Sequence, residues 1–224
     1  MRSIYTQAVH AGEEPDPATG AYPTPNFQAA AYRFSSAEEA AQIIAGEKEG
    51  YVYTRWGNPT VAALERKIAT LERGEAALAT GSGMAAISAI LLTLASPGQH
   101  IVASDSLYGG TSRLLSQDLP ALGIRATLVD ATEPVNIERA MSERTVALFL
   151  ETPGNPNLRL ADIALAAEIA HRQGAVTLVD STFATPYCQR PLALGADFVI
   201  HSATKYLGGH GDATAGLVVG SKET

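Results

Sequence analysis

Short apolar runs alternate with longer amphipathic stretches over most of the chain. Runs of three to five apolar residues are predicted strands, and the amphipathic stretches between them, about eight to fifteen residues long, are predicted helices. This spacing is typical of βαβ units, and the nearly continuous apolar character of the strands indicates a sheet buried on both faces. We therefore predict an α/β fold with three layers and a mostly parallel sheet.

The predicted elements begin at Asn58, which suits a helix N-cap, with Pro59 at the first helical position and a stop at Gly74. Predicted strands follow at residues 76–79, 101–103, 126–129, 146–150, 175–179, 197–200 and 215–219. Predicted helices lie between them at residues 84–94, 111–119, 135–141 and 162–173.

The first fifty residues fit this pattern poorly. Residues 13–26 carry four prolines and one glycine, which favours extended or turn backbone. One helix is predicted at residues 36–45, capped by Ser35 or Ser36, with glutamates in its first turn. We therefore predict an extended arm with a short helix at residues 1–57, lying over another surface such as a second subunit, and one main domain at residues 58–224.

Composition and charge exclude several classes of protein. The 224 residues are 46% hydrophobic and 17% charged, which is ordinary for a globular domain, and the net charge of −7 argues against nucleic-acid binding. No apolar run is long enough for a membrane span. A single cysteine, Cys188, excludes a disulfide framework and fits a reducing compartment, so a cytoplasmic protein is expected.

Two reactive side chains follow predicted strands near the end of the chain. Asp180 follows one strand, and Lys205 follows the next, together with Ser202 and Thr204. In open α/β sheets ligands bind outside the carboxyl ends of the strands. An acid and a lysine there suggest a cofactor with one basic nitrogen and one carbonyl, and pyridoxal phosphate (PLP) has both.

Each of these residues also has a simpler interpretation. Lys205 alone could be a surface lysine, but burial would lower its basicity and leave a neutral amine able to form a Schiff base with an aldehyde. Asp180 could be a helix cap, or it could keep a pyridine nitrogen protonated so that the ring withdraws electrons from a carbanion. The five histidines show no metal-ligand spacing, so no metal site is predicted.

A glycine-rich turn at residues 81–86 predicts a phosphate site. It lies between a strand and a helix, where free N–H groups bind anions. Residues 81–86 also match the G-x-G-x-x-A motif of a dinucleotide-binding fold, in which Asp105 would be the acid that binds the ribose. An NAD-binding oxidoreductase is therefore an alternative. That alternative gives no role to Lys205. A further alternative is a serine nucleophile in the S-x-x-K motif at residues 202–205. The S-D-N and K-T-G motifs that accompany it in penicillin-binding enzymes are absent from the sequence.

Three aromatic or basic residues complete the candidate site. Tyr108 lies between a strand and a helix, so its ring could stack on a flat cofactor and its hydroxyl could take part in proton transfer, or it could simply pack in the core. Tyr53 and Arg55 lie in a turn-rich stretch, and an arginine beside a tyrosine suits a phosphate.

The residues together resemble the Cys/Met-metabolism family of PLP enzymes, which includes cystathionine γ-synthase, cystathionine γ-lyase, methionine γ-lyase and O-acetylhomoserine sulfhydrylase. Six segments carry the resemblance in the family's order: YTRWGNPT at 53–60, SGM at 82–84, SLYGGT at 106–111, ETPGNPN at 151–157, VDSTFATP at 179–186 and HSATKYLGGHGD at 201–212.

The resemblance implies a PLP-dependent transferase fold of type I, like the large domain of aspartate aminotransferase, in a homotetramer whose subunits share active sites. It implies that Lys205 binds the cofactor and moves protons, that Asp180 pairs with the pyridine nitrogen and that Tyr108 stacks on the ring. It also implies that the cofactor phosphate is bound by Ser82, Gly83, Met84, Ser202 and Thr204. Glu151 and Asn155 are implied to make contacts near the ring. Tyr53 and Arg55 are implied to bind the phosphate in the active site of a neighbouring subunit.

The implied activity is a PLP-dependent carbon–sulfur lyase that carries out γ-elimination on cystathionine, methionine or homocysteine. The alternatives are γ-replacement, as in cystathionine γ-synthase or an O-acylhomoserine sulfhydrylase, and a PLP-binding fragment without turnover. Methionine γ-lyases usually carry a cysteine where this chain has Gly110. Family members also continue into a C-terminal domain whose arginine binds the substrate carboxylate, and we expect that domain to be missing from these 224 residues.

Overall fold

The computed structural model describes residues 3–223, which fall into two compact units, one ending at Thr70 and one beginning at Leu71. The predicted domain boundary at residue 57 stays a prediction. No helix in the described part of the chain is long and apolar enough to cross a membrane.

The N-terminal unit contains two short helices and much irregular backbone. Helix α1 spans Ile4–His10 and α2 spans Ala37–Ile44. Helix α2 confirms the helix predicted at residues 36–45. Ser36 is its N-cap, as predicted, since the Ser36 hydroxyl accepts a hydrogen bond from the Glu39 N–H at 3.1 Å. Helix α1 was not predicted from the sequence; it has only seven residues and buries none of them, so it shows little apolar period.

Asn58 organises the start of helix α3, which spans Pro59–Glu72. Its Oδ1 accepts the Thr60 N–H at 2.9 Å, as predicted for an N-cap, and its Nδ2 donates to the Phe27 carbonyl at 2.9 Å. The side chain is 4% exposed. One buried amide therefore satisfies the helix end and holds a segment about thirty residues upstream.

The second unit is built on the predicted sheet. Its strands are β1 Ala76–Thr80, β2 His100–Ser104, β3 Arg125–Val129, β4 Thr145–Glu151, β5 Val176–Asp180, β6 Phe198–Ser202 and β7 Gly216–Gly220. Its helices are α4 Gly83–Leu94, α5 Gly109–Arg113, α6 Leu119–Ala121, α7 Pro134–Ala140, α8 Ile163–Arg172 and α9 Thr185–Cys188.

Within residues 3–223 the sheet has seven strands in the order β1-β7-β6-β5-β4-β2-β3. All neighbouring pairs are parallel except those made by β7, which runs antiparallel to both β1 and β6. The carboxyl ends of the other strands therefore meet at one edge. In the β4–β5 register Glu151 lies beside Asp180.

Apolar side chains alternate between the two faces of the sheet. On β4, Phe149 packs in a core cluster with Leu91 of α4, whereas Leu148 and Leu150 pack in another with Ile169 of α8. Because successive side chains of a strand point to opposite faces, the central strands β2, β4 and β5 and the edge strand β3 contribute to both clusters. This arrangement confirms the predicted three layers and mostly parallel sheet.

The main departure from the predicted elements is the helix at residues 111–119. The structure divides it into α5, a π-helical turn Leu114–Asp118 and α6. Pro120 lies at this junction and has no N–H to continue the regular ladder. Helix α9 and a 3-10 turn Pro191–Leu194 were not predicted, since both are too short to show a period.

Candidate active site

A cavity of about 180 Å³ lies at the carboxyl edge of the sheet, between β4, β5, β6 and the beginning of α4. It brings together all the predicted site residues except Tyr53 and Arg55. The residues lining it are Ser82, Gly83, Met84, Ile87, Tyr108, Glu151, Asn155, Asp180, Thr182, Phe183, Ser202, Thr204 and Lys205.

Asp180 occupies one wall of the cavity as the last residue of β5, where it is 6% exposed. Its Oδ1 accepts hydrogen bonds from the N–H and the hydroxyl of Thr182, at 3.0 and 2.5 Å. The Thr182 hydroxyl in turn accepts the Ser202 N–H at 2.8 Å. One Asp180 oxygen is thus fixed by this chain, and in residues 3–223 no group donates to the other.

Burial raises the pKa of the Asp180 carboxyl, while the Thr182 hydrogen bonds and the nearby His201 act in the opposite direction. A carboxylate whose charge is disfavoured by burial gains from a cationic partner. The free oxygen of Asp180 therefore suits a protonated ring nitrogen.

Glu151 lies beside Asp180 and fixes two loops by their backbones. It accepts the Tyr108 N–H at 2.7 Å and the Asn155 N–H at 3.1 Å. Burial, followed by repulsion from Asp180, raises the pKa of Glu151 to about 7. Glu151 thus holds in place the turns that bring Tyr108 and Asn155 to the cavity.

The N-terminus of α4 forms the opposite end of the cavity. The Ser82 hydroxyl accepts the Ala85 N–H at 3.1 Å, and a Cβ on Gly83 would lie 2.6 Å from the Cβ of Ser202. Only glycine allows this close approach of α4 to β6. The first amides of α4 have no carbonyl partner inside the helix, so they can bind an anion next to the Ser202 hydroxyl.

Thr204 and Lys205 follow β6, and their surroundings differ from the expectation. The Thr204 hydroxyl accepts the Ala215 N–H at 3.1 Å and donates to its carbonyl at 3.3 Å, so it also holds the start of the last strand. Lys205 lines the cavity but is exposed, whereas the sequence analysis expected a dry pocket. The amine is thus accessible from the solvent side.

Gly110 lies behind the ring of Tyr108. A Cβ at this position would lie 2.7 Å from Tyr108 Cε1 and 3.1 Å from Met84 Sδ, whereas a Cβ on Gly109 would have no neighbour within 4 Å. A larger side chain at this position, such as cysteine, would thus contact the ring and displace it. The glycine sets where the half-exposed Tyr108 ring rests.

Tyr53 and Arg55 belong to the N-terminal unit. The Arg55 guanidinium lies 5.1 Å from the centroid of the Tyr53 ring, which is a cation–π distance. Their predicted role at the phosphate of a neighbouring subunit stays a prediction.

Three residues that line the cavity were not predicted from the sequence: Ile87, Thr182 and Phe183. Ile87 lies one helical turn after Gly83 and could have been found from the period of α4. Thr182 follows Asp180 by two residues, a spacing at which a hydroxyl and a carboxylate often bond locally. Phe183 packs edge-on against Tyr206 at 6.2 Å, and no pattern in the sequence indicates that contact.

The residues present fit pyridoxal phosphate. The helix N-terminus with Gly83 and Ser202 supplies a phosphate cradle, and the free oxygen of the buried Asp180 supplies a partner for a pyridinium N–H. Lys205, in the same cavity, supplies a primary amine for the aldehyde. The arrangement can therefore hold a flat, anionic, aldehyde-bearing heterocycle by three of its groups.

Comparison with known proteins agrees with this chemistry. The family model described as Cys/Met metabolism PLP-dependent enzyme matches residues 5–224. The chain is 46% identical over 220 residues to an L-methionine gamma-lyase of Treponema denticola, covering 97% of this chain and 55% of the relative. It is 47% identical to a cystathionine gamma-lyase of Bacillus subtilis, covering 97% and 55%, and 44% identical to an O-acetyl-L-homoserine sulfhydrylase of Leptospira meyeri, covering 96% and 48%.

Solved structures show the same fold. The crystal structure of metB from Corynebacterium glutamicum matches with a TM-score of 0.94 and 39% identity, over 100% of this chain and 56% of that one. Cystathionine gamma-lyase from Lactobacillus plantarum, complexed with L-serine, matches with a TM-score of 0.91 and 41% identity, over 99% and 56%. The chain spans about half the length of the curated relatives it matches.

Proposed function

The chain belongs to the Cys/Met metabolism PLP-dependent enzymes, and on that basis we propose that the protein is a carbon–sulfur lyase acting by γ-elimination on sulfur amino acids such as cystathionine, methionine or homocysteine. The single observation that supports this proposal is the shared cavity of Asp180 and Lys205. Asp180 can pair with the ring nitrogen and Lys205 can bind the aldehyde of the same cofactor only if both side chains line one cavity.

Bound pyridoxal phosphate supplies an electron sink for the carbanion formed when the α-proton of the amino acid is removed. The Lys205 amine, at the open side of the cavity, is the group placed to take that proton and return it to the substrate chain. Asp180 keeps its charge next to the ring nitrogen, and the Tyr108 ring covers one side of the site. The overall reaction consumes one water and releases a thiol, a 2-oxo acid and ammonia.

A second candidate activity is γ-replacement, which is supported by the 44% identity to an O-acetyl-L-homoserine sulfhydrylase. In that reaction a thiol takes the place of the leaving group at the γ-carbon, and a new thioether is the product. The same residues would bind the cofactor and move the proton. The outcome then depends on whether water or a thiol meets the activated substrate.

We also infer a homo-oligomer in the cytoplasm, with Tyr53 and Arg55 of one subunit reaching the phosphate site of its neighbour. The pairing of an arginine with a tyrosine in a segment rich in turns supports this inference. The substrate would be a small amino acid, and neither a nucleic acid nor a membrane is proposed as a partner.

The test begins with Lys205→Ala. We expect the wild-type protein to be yellow and to lose its colour with borohydride, which leaves a label on Lys205. We also expect it to release a 2-oxo acid and ammonia from at least one of a panel of γ-substituted amino acids. Because the variant lacks the amine, turnover should fall by at least ~10²- to 10⁴-fold, and no label should remain.

The possible failures are distinct. Turnover retained in Lys205→Ala would contradict the mechanism. A yellow wild-type chain that forms no product from any of the amino acids would indicate a cofactor-binding fragment, and a colourless chain that binds NAD would indicate the oxidoreductase.

A further inference from the structure

A second cavity lies at the edge of the sheet opposite to the cofactor site. Strands β2, β3 and β4 are parallel, and their amino ends meet there in register, with His100 beside both Arg125 and Thr145. The cavity is open and has a volume of about 460 Å³. His100, Arg125 and Arg144 line it, and no aspartate or glutamate of the described chain does.

The two arginines of this cavity have no carboxylate partner. In residues 3–223 neither Arg125 nor Arg144 forms a salt bridge, whereas Arg159 and Arg172 each do. Glu143, next to Arg144 in the sequence, does not line the cavity. Since the chain has 23 acidic residues and 16 basic ones, its composition does not explain two unpaired cations in one place. Like charges that face the same space repel each other, and an anion between them removes that repulsion.

His100 lies between the two arginines in the sheet and adds no charge to them. Its Nδ1 lies 2.8 Å from Thr145 Oγ1, and its Nε2 lies 2.8 Å from Thr127 Oγ1. A neutral imidazole has one donor and one acceptor nitrogen, which suits two hydroxyl partners. Burial, followed by the positive charge of Arg125, lowers the pKa of His100. The ring is therefore fixed, neutral and close enough to Arg125 to respond to its charge.

The cavity wall offers several hydrogen-bond donors. Gln99 Oε1 accepts the Ser96 N–H at 2.7 Å, and in the described part of the chain no acceptor is bonded to the Gln99 amide NH₂. Each guanidinium presents parallel N–H groups that match two oxygens of a phosphate. Pro120 and Ala140 add apolar surface to the same wall. The lining therefore suits an acceptor-rich group with two negative charges that is attached to an apolar body.

We propose that this cavity binds a small phosphate monoester, with Arg125 and Arg144 on the phosphate oxygens and the ester body against Pro120 and Ala140. The inference goes beyond the proposed function and does not depend on it. The two cavities lie at opposite edges of the sheet and share no lining residue.

The test follows the His100 ring by NMR in the whole 224-residue chain at pH 8, while propyl phosphate is added at constant ionic strength. The His100 signal is identified by its loss in His100→Gln. Because an anion at Arg125 changes the electric field at the neighbouring ring, the signal should shift and saturate. Propanol, which has no charge, should cause no shift. Inorganic phosphate, which lacks the apolar body, should bind at least ~3-fold more weakly.

Two variants and a control assign the effect to the cavity. Arg125→Gln and Arg144→Gln should each weaken propyl phosphate binding at least ~10-fold, the factor expected for loss of one charge-assisted hydrogen bond. Arg144→Gln also keeps Arg125, through which the His100 ring senses the anion. Arg113→Gln is the control, since it removes an exposed guanidinium 3.9 Å from Asp118, outside the cavity, and it should leave the affinity unchanged.

Four results would overturn the inference. The His100 shift could rise without saturating, or all three arginine variants could weaken binding equally, which would make overall charge the cause. Acetate, with one negative charge, could bind as tightly as propyl phosphate, which would refute a site for a doubly charged group. Inorganic phosphate could bind as tightly as the ester, which would refute a site for the ester body. A yellow, active wild-type chain that gives any of these results would refute this inference alone.

Discussion

Glu151, Asp180 and Ser202 are the last residues of three adjacent strands, and their side chains meet at the cavity. This part of the site could be predicted from the sequence, because an apolar run that ends on a polar residue places that residue at the strand exit. Thr182 could not be predicted with the same ease. Its hydroxyl bridges Asp180 and Ser202, and that contact depends on how two strands lie side by side.

Gly110→Ala tests the packing behind Tyr108. The added methyl would lie 2.7 Å from Tyr108 Cε1, so the ring must move. Because small displacements of a catalytic group have large effects, we expect kcat/KM for the best γ-substituted amino acid to fall ~10-fold or more.

Gly109→Ala is the matched control, since its methyl would meet no atom within 4 Å. It should leave kcat/KM unchanged and add up to ~1 kcal/mol to the free energy of unfolding, because alanine is the better helix former. Equal loss of kcat/KM in the two variants would contradict this prediction, because it would show that activity responds to any substitution in α5 and not to the contact with the Tyr108 ring.

Glu151→Gln tests the raised pKa. The folded-state pKa of Glu151, about 7, lies above the ordinary glutamate value of 4.5, so the folded protein favours the protonated carboxyl. The stability that this proton contributes is complete below the unfolded-state pKa and is lost as pH rises through the folded-state pKa. Relative to wild type, the glutamine variant should therefore gain ~2–3 kcal/mol in free energy of unfolding between pH 4.5 and pH 8.

Urea unfolding of the cofactor-free chain at several pH values measures this gain. The pH-independent cost of replacing one carboxylate oxygen cancels in the comparison. Parallel curves for wild type and Glu151→Gln across the interval would contradict a raised pKa at this residue.

The order and type of the elements in the second unit followed from their apolar periods. The observed strands begin or end one or two residues away from their predicted bounds, because strand bounds follow the hydrogen bonds between strands and not the apolar run alone. The π-helical turn Leu114–Asp118 could not be predicted, since the change of hydrogen-bond register depends on packing around Leu115 and Leu119 in the core. The antiparallel direction of β7 was also outside the reach of the pattern, because an apolar run has no direction.

Thr182→Val tests the hydrogen bonds that join β5 to β6. The change removes the hydroxyl that donates to Asp180 and accepts the Ser202 N–H at 2.8 Å, leaving that N–H without its partner. We expect a loss of ~1–3 kcal/mol in the free energy of unfolding, measured with urea.

Thr93→Val is the control for the methyl-for-hydroxyl exchange. Its hydroxyl bonds only to the Ala89 carbonyl of the same helix, at 2.8 Å, and is exposed. The loss there should stay within ~0.5 kcal/mol. Equal losses in the two variants would mean that the bridge between the strands contributes nothing of its own.

At the scale of the whole molecule, the sequence predicted an arm and a main domain, and the structure has two compact units. Shared active sites are a property of an assembly, so periodicity within one chain does not reveal them. The proposal that Tyr53 and Arg55 serve a neighbouring subunit therefore rests on their residue types and on the family.

Mixing two inactive variants tests the shared site. In a mixed dimer of Lys205→Ala and Arg55→Ala subunits, one of the two sites combines an intact Lys205 with an intact Arg55. Random re-association should therefore restore about a quarter of the wild-type activity. Each variant denatured and refolded alone is the control, and a mixture no more active than either variant would contradict sharing.

The position of β7 has a consequence for the order in which the molecule is completed. Strands β1 and β6 do not touch each other in the sheet, since β7 lies between them, and β7 is made from residues 216–220, far along the chain from β1 at residues 76–80. Until it inserts, nothing in the sheet holds the turn after β1 against Ser202. The anion cradle at Gly83 is thus completed only after residues 216–220 have been synthesised, although Gly83 itself is made long before them.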